Sequence, residues 1–450
     1  MHRVNAGYTL LARLHADRVE AARALLAELD ARPERIPFST MATTHFATIT
    51  ILPAQQWGDE PLPPTLLFAT SYCGPVDEHV EELVRVLGGP LRELFVHCEG
   101  FAAGCDDAWL EQFIRKHRRS DTFYSGMQHL TPRDVRRHHE LRTEIQTFVD
   151  DRQRAGGLTG TAREVRREIQ DHIRKNSEFR WAQDPFTRPP GTWLALHGLT
   201  MIPTTIAAAL VLCAIVQRYV HDPVLGAVVT YGGIAAGLFV LFLIALVGGV
   251  RFAESQQTYV TKRPPDPVVR SLAATQNRPV INEFTIAGPI KEGFARPLFL
   301  RMSLWVVARV AEGIPFIWSL RTGINIPTVA TARWIASDRG RRLIFISNYT
   351  NAAEPYVRDF IDITNGARRI NLVFGFGRGY PKTQWVIGGG ALDDPNGFIH
   401  VVTEHQRPTA FWYGPYRDIS IDNIKINRQI REGLFENTDE EQAQAWLHLL

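Results

Sequence analysis

Cysteine is scarce in this chain. The four thiols in 450 residues, Cys73, Cys98, Cys105 and Cys213, fit no disulfide framework by spacing, which leaves reduced thiols in a cytosolic setting as the reading. An excess of one charge is also lacking: 50 Lys and Arg stand against 47 Asp and Glu, a net +3, so nothing global points to nucleic acid. A secretory leader is not expected either, because the first apolar stretch, Tyr8 to Leu14, is short and a charged helical pattern follows it. Metal ligands at workable spacing are missing. His97-Cys98-Glu99 and Cys105-Asp106-Asp107 are the densest group, but strand alternation would send His97 and Glu99 to one face and Cys98 to the other. A dinucleotide fingerprint is missing as well: Gly375-x-Gly377-x-Gly379 has no acidic partner or following helix of the required kind.

What is present is a long apolar run from Trp193 to Val250, interrupted once by the polar turn Gln217 to Pro223. Its two legs, Trp193 to Val216 and Val224 to Val250, carry no Asp, Glu, Lys or Arg. Each exceeds the roughly 20 residues a helix needs to cross a bilayer core. A two-helix transmembrane hairpin is therefore expected over residues 193–250, with Gly232-Gly233, Gly237 and Gly248-Gly249 allowing close helix approach. Arg174, Lys175, Arg180 and Arg188 flank it upstream; Arg251, Lys262, Arg263 and Arg270 flank it downstream. This positive-inside bias predicts an integral protein of an inner or plasma membrane with both termini cytoplasmic.

The flanks read as α+β sequence. Over residues 1–150 the expected order is strand Tyr8–Leu14, helix Val19–Leu29, strands Thr44–Leu52 and Thr65–Tyr72, helix Val76–Leu87 and strand Leu91–Cys98. That βαββαβ order is the split-βαβ, or ferredoxin-like, unit. A helix over Asp107–His117, a short strand at Phe123-Tyr124 and a charged helix from Thr131 to Val149 extend it. Residues 151–192 form a connector whose helix, Thr161–Lys175, carries Arg163, Arg166, Arg167, Arg174 and Lys175, a pattern suited to anionic headgroups. After a linker over 251–281, residues 282–450 repeat the order. Strand Asn282–Ile290, an unusually apolar helix Pro297–Ala311, strands Ile326–Ser337 and Arg342–Tyr349, helix Glu354–Ile363 and strand Ile370–Phe376 are expected. The apolar helix has more apolar surface than one sheet can cover, so a membrane or a partner is expected on its other side.

The repeat is also one of residues. Leu66-Leu67-Phe68 through Val80 aligns with Leu343-Ile344-Phe345 through Val357 without a gap. Further on, Phe95 falls on Phe374, His117 on His405, Phe123-Tyr124 on Trp412-Tyr413 and Arg142 on Arg431. Two such modules, separated by the hairpin, would form a pseudo-dimer.

The stretches RLIFISNY, FIDITNGARRINLVFGFGRGYP, HQRPTAFWYGPYRDISIDNIKINRQIREGL and NEFTIAGPIKEGFARPLFLRMSLWVV resemble a family of bacterial membrane proteins to which no activity is attached. The resemblance covers most of Asn282 to Leu434 strongly and the first half weakly. It implies membrane location and tandem α/β halves around a membrane hairpin. At the level of fold alone, the tandem units are similar to the dimeric α/β barrels of dye-decolourising peroxidases and chlorite dismutases, which implies haem as a cofactor, although the sequence lacks their haem-binding motif.

Four residues emerge as cofactor- or ligand-binding candidates: His117 and His405, each two residues before an Arg, Arg378 in its glycine-rich turn, and Tyr413. The preferred expectation is a membrane-anchored, cytoplasm-facing scaffold or ligand-binding protein whose partners are the bilayer and a hydrophobic ligand or another protein. The alternative is a membrane-bound oxidoreductase acting on a lipophilic substrate, with haem or another cofactor held by His117 or His405.

Overall fold

The computed structural model of the chain describes residues 5–127, 129–157, 159–184, 209–257, 265, 267, 270, 272, 280–318, 328–350, 356–358, 361, 366–416 and 418–450. Its class is mixed α and β, built on two five-stranded antiparallel sheets. The strands are β1 (Asn5–Arg13), β2 (Thr44–Leu52), β3 (Thr65–Cys73), β4 (Arg118–Arg119), β5 (Thr122–Ser125), β6 (Ile281–Pro289), β7 (Val329–Ser337), β8 (Arg342–Thr350), β9 (Gln406–Arg407) and β10 (Phe411–Tyr413). The first sheet runs β10-β2-β3-β1-β4 and the second β9-β6-β8-β7-β5. With β10 and β5 set aside, each sheet places its strands in the order fourth, first, third, second along the chain.

The two fifth strands are exchanged between the halves. Strand β5, from the N-terminal half, pairs with β7, placing Phe123 opposite Arg333. Strand β10, from the C-terminal half, pairs with β2, placing Trp412 opposite Thr48. These are the segments that the internal repeat aligns with one another.

Strands β2, β3, β6 and β8 are buried along their whole length. A strand covered on both faces does not need polar alternation, which is why these runs read as nearly continuous β-branched and apolar sequence. One face of each sheet takes helices. Tyr8, Leu10, Phe68 and Ile49 of the first sheet pack with Leu26 of α1 (Val19–Ala31) and with Leu83 and Leu87 of α2 (Val76–Phe95). The other faces meet each other through Leu11, Leu52, Leu67 and Ala69 on one side and Ala287, Ile335, Ile344 and Ile346 on the other.

Two expected strands are helix instead. Leu91–Cys98 continues α2, which runs through Pro90 to Phe95, and most of Ile370–Phe376 lies in a helix over Gly366–Phe374. The fourth strand of each half is the two-residue β4 or β9, reached after an added helix, α3 (Asp107–Lys116) or Pro395–His405. The expected helix Glu354–Ile363 falls largely outside the described residues. So does the start of the expected strand Ile326–Ser337.

The connector helix Ala162–Lys175 joins a helical cluster with Pro132–Arg154, Ile421–Gly433 and Glu440–Leu447, burying Ile169 and Ile173 beside Leu141, Ile430 and Trp446. Its Arg166, expected at headgroups, is buried there and donates to Thr438 Oγ1 and the Glu436 carbonyl. Arg163, Arg167, Arg174 and Lys175 are exposed.

Of the apolar run, residues 193–208 lie outside the described part. Ala209–Val220 is a short apolar helix and Pro223–Ser255 a long one. The latter has 33 residues, about 50 Å at 1.5 Å per residue. Leu210 lies against Gly232 and Gln217 against Gly226, so the short helix folds back along the long one. Pro223–Ser255 is the one described helix long and apolar enough to span a membrane, and only 11 % of its most apolar window is buried.

Candidate functional site

The exchange of β10 helps build a cleft of about 930 Å³. It is lined by Ile36 and Phe38, from the turns after α1, and by Phe411, Trp412 and Tyr413 of β10, followed by Tyr416. Neither half forms this lining alone. Phe38 stacks on Tyr413 at 5.5 Å between ring centroids and on Phe411 at 5.7 Å. Trp412 lies nearly parallel to Phe46 at 6.2 Å, and its indole N–H donates to Asn348 Oδ1 at 2.8 Å. Arg136 is the one basic lining residue among those described, and Asp30, Glu34 and Asp418 are the acidic ones. A volume in the range of small-molecule pockets, lined by Trp412, Tyr413 and charged side chains of both signs, suits a ligand with an apolar or aromatic face and polar groups at its edge.

Beneath this cleft a buried polar cluster ties the halves together. His45 on β2 lies with Nδ1 2.5 Å from the Tyr416 hydroxyl and Nε2 3.0 Å from Cys73 Sγ on β3. Burial drives the His45 pKa down to about 4, partly opposed by its hydrogen bond with the Leu130 carbonyl, and raises that of Tyr416 well above its ordinary value. The imidazole is therefore neutral at physiological pH, exchanging hydrogen bonds with neighbours instead of carrying charge.

The four residues singled out by sequence do not converge. Tyr413 lines the aromatic cleft. Arg378 lines a separate cleft at the inner end of the long apolar helix. His405 ends the helix Pro395–His405 over Gly288, where an added Cβ would meet its ring at 2.7 Å. Its Nε2 lies 3.0 Å from the Arg378 carbonyl, so these two candidates are neighbours through backbone. His117 caps α3, with Nδ1 2.9 Å from the Phe113 carbonyl and its ring against Phe113.

Haem does not fit at His405. The cavity beside His405 holds about 30 Å³ and is lined by apolar side chains such as Phe374, Phe398 and Val402. That is water-sized, while cofactor pockets run to several hundred Å³. His405 Nε2 already has a carbonyl partner.

Sequence reasoning passed over His45, Tyr416 and Phe38, which sit inside segments whose patterns read simply as strand or loop. Lys291 was passed over too; it lies two residues past the strand Ile281–Pro289, in a polar Lys-Glu-Gly turn that reads as solvated loop. No protein-family model, curated protein or solved structure matches the chain, so a functional reading rests on this geometry.

Proposed function

We propose that the chain is a membrane-anchored scaffold with a ligand site between two ferredoxin-like modules. The observation that carries it is the way the long apolar helix is held. Its body is bare, with Leu238, Phe239, Leu241 and Ile244 exposed, while its last turns are keyed into the protein. Glu254, buried, accepts from Thr383 Oγ1 at 2.7 Å and from the backbone N–H groups of Val386 and Trp385 at 2.9 and 3.0 Å. Val250 packs with Leu300, Leu304 and Phe376. A bare apolar rod fixed rigidly at one end suits insertion in lipid, since a soluble chain rarely leaves so large an apolar surface uncovered.

On this reading residues 193–250 are a two-helix hairpin and both modules share one side, the cytoplasmic one by the basic flanks. The strand order in each sheet supports the ferredoxin-like assignment, and the facing sheets support the pseudo-dimer. The kinship with membrane proteins carrying tandem α/β halves belongs to the same proposal. The aromatic cleft at the strand exchange is its ligand site, for an apolar or aromatic small molecule. Alkaline carbonate extraction of membranes from expressing cells tests the anchor: the chain stays in the pellet, and release into the supernatant sinks the reading. Mass spectrometry of small molecules co-purifying with the full chain tests the cleft. The ligand is retained by the parent and lost from W412A; equal retention refutes the assignment.

A further inference from the structure

The long apolar helix meets the body at a second cleft, of about 740 Å³, whose lining includes Lys291, Arg296 and Arg378 and no carboxylate among the described residues. Phe252 and Phe294 line it as well and are 68 % and 89 % exposed. Trp385, on the neighbouring loop, is 62 % exposed under the Arg251 guanidinium at 5.5 Å. Aromatic rings with basic side chains at the end of an apolar helix are what a membrane–water interface selects.

The three cations differ in how they are held. Lys291 is 8 % exposed. It gives one of its three ammonium protons to the Gly375 carbonyl at 2.8 Å, has the Tyr380 ring 5.7 Å away, and has no other hydrogen-bond partner among the described residues. Arg296 is fixed across the end of the helix by bonds to the Ala253 and Glu292 carbonyls, both 2.8 Å. Arg378 is half exposed and, among the described residues, pairs with the exposed Glu292, Nη2 to Oε1 at 3.0 Å. An exposed pair of this kind is weak and is readily exchanged for another anion.

We propose that this cleft binds the phosphate headgroup of an anionic membrane lipid. Arg296 supplies a fixed positive wall, Arg378 an arm that leaves Glu292 for the phosphate, and Lys291 a buried amine, its pKa pushed down to about 7 by burial, that a bound phosphate keeps protonated. Charge-assisted bonds from guanidinium to phosphate exceed those between neutral groups, and Arg matches phosphate with two parallel donors. The exposed Phe252 and Phe294 argue for a ligand carrying acyl chains over free phosphate. Lys291, Arg296 and Arg378 outnumber the neighbouring carboxylates Glu254 and Glu292, which argues for net negative charge over a zwitterion. The inference rests on the membrane reading above.

The test uses the full chain, solubilised in detergent and titrated with phosphatidylglycerol or phosphatidylcholine, with bound lipid counted by native mass spectrometry. Phosphatidylglycerol is expected to bind about tenfold more tightly than phosphatidylcholine, and R378Q to lower its affinity by about tenfold, a change of about 1.4 kcal/mol. R85Q, a charge loss at an exposed site on α2, is expected to leave it unchanged. Equal binding of the two lipids, or equal losses in R378Q and R85Q, overturns the site. Inorganic phosphate that displaces the lipid at equal concentration overturns the lipid as the source. Carbonate extraction separates this failure from that of the anchor: a chain that remains in the membrane yet ignores lipid charge refutes only the headgroup site, whereas a chain that washes out refutes both.

Discussion

The Arg333 guanidinium crosses the space between the two sheets to donate to Ser71 Oγ at 2.6 Å. It also donates to the carbonyls of Thr70 at 2.9 Å and Tyr8 at 3.2 Å, and Asp121 Oδ2 lies 3.6 Å away. Thus a cation on β7 is satisfied almost wholly by the opposite half. Asp121 reaches it because Gly7 has no Cβ: one placed there would come within 2.7 Å of the carboxylate.

Removing Arg333 should therefore be costly. R333A removes the donor to Ser71 and to the Thr70 and Tyr8 carbonyls and the counter-charge of Asp121, which still accepts from Thr9 Oγ1, and losing one partner of a buried pair costs about 3–5 kcal/mol. R333M, which refills the volume without restoring the donors, should cost less than R333A. Denaturant midpoints of the solubilised chain measure both, and an R333A midpoint within error of the parent would contradict the account.

Three buried histidines make stability depend on pH. Burial lowers His45 and His138 to about 4 and His79 to about 3, the last with help from Arg333. Each ring is neutral when folded and takes a proton near pH 6.5 when unfolded. The unfolded state thus binds more protons between those values, and stability rises with pH there. The contribution is complete above about pH 6.5 and is lost as pH falls to about 4; for His45 alone it is worth about 3 kcal/mol. H79F, which keeps a ring against Tyr72 at the site of the present 3.9 Å stack, should flatten the pH profile of the denaturant midpoint. A profile as steep as the parent's would exclude His79 as a contributor.

Glu254 is the joint between helix and body. E254A strands two backbone N–H groups, each worth about 1–3 kcal/mol when buried without an acceptor. Amide hydrogen exchange at Trp385 and Val386 should accelerate in E254A, with E254Q intermediate because its amide oxygen still accepts. Unchanged protection in E254A would mean that the loop is held by something else.

Much of this architecture was legible because burial writes itself into strand composition. The runs at 44–52, 65–72, 282–290 and 342–349 could be read directly, and the repeat pointed to Phe123-Tyr124 and Trp412-Tyr413 as equivalents. Their exchange was not legible, since strand pairing between distant segments leaves no local period. The fourth strands were misplaced for a related reason. Arg118–Arg119 and Gln406–Arg407 are too short to show a period, and Leu91 to Phe95 continue the apolar face of α2 past Gly88-Gly89-Pro90, which resembles a helix end. Tyr413 and Arg378 line clefts because they lie on the exchanged strand and at the helix joint. The clefts themselves arise from side chains hundreds of residues apart, such as Phe38 with Tyr413.

Strand exchange makes a final demand on cooperativity. Gly126 follows β5 directly and donates its N–H to the Ala330 carbonyl at 2.8 Å. A Cβ there would fall 2.4 Å from the Val329 carbonyl oxygen, a backbone atom that cannot move without moving β7. G126A must therefore displace an N-terminal strand from the C-terminal sheet. Because β10 makes the reciprocal crossing, each half lends an edge to the other and neither can complete its sheet alone. Unfolding followed by near-ultraviolet circular dichroism and by exchange at amides of β3 and β8 should give one coincident transition in the parent chain. In G126A both amide sets should weaken together, although the substitution touches only one crossing. Loss of protection confined to β7 and β8, with β3 unchanged, would show that the two halves fold as independent units.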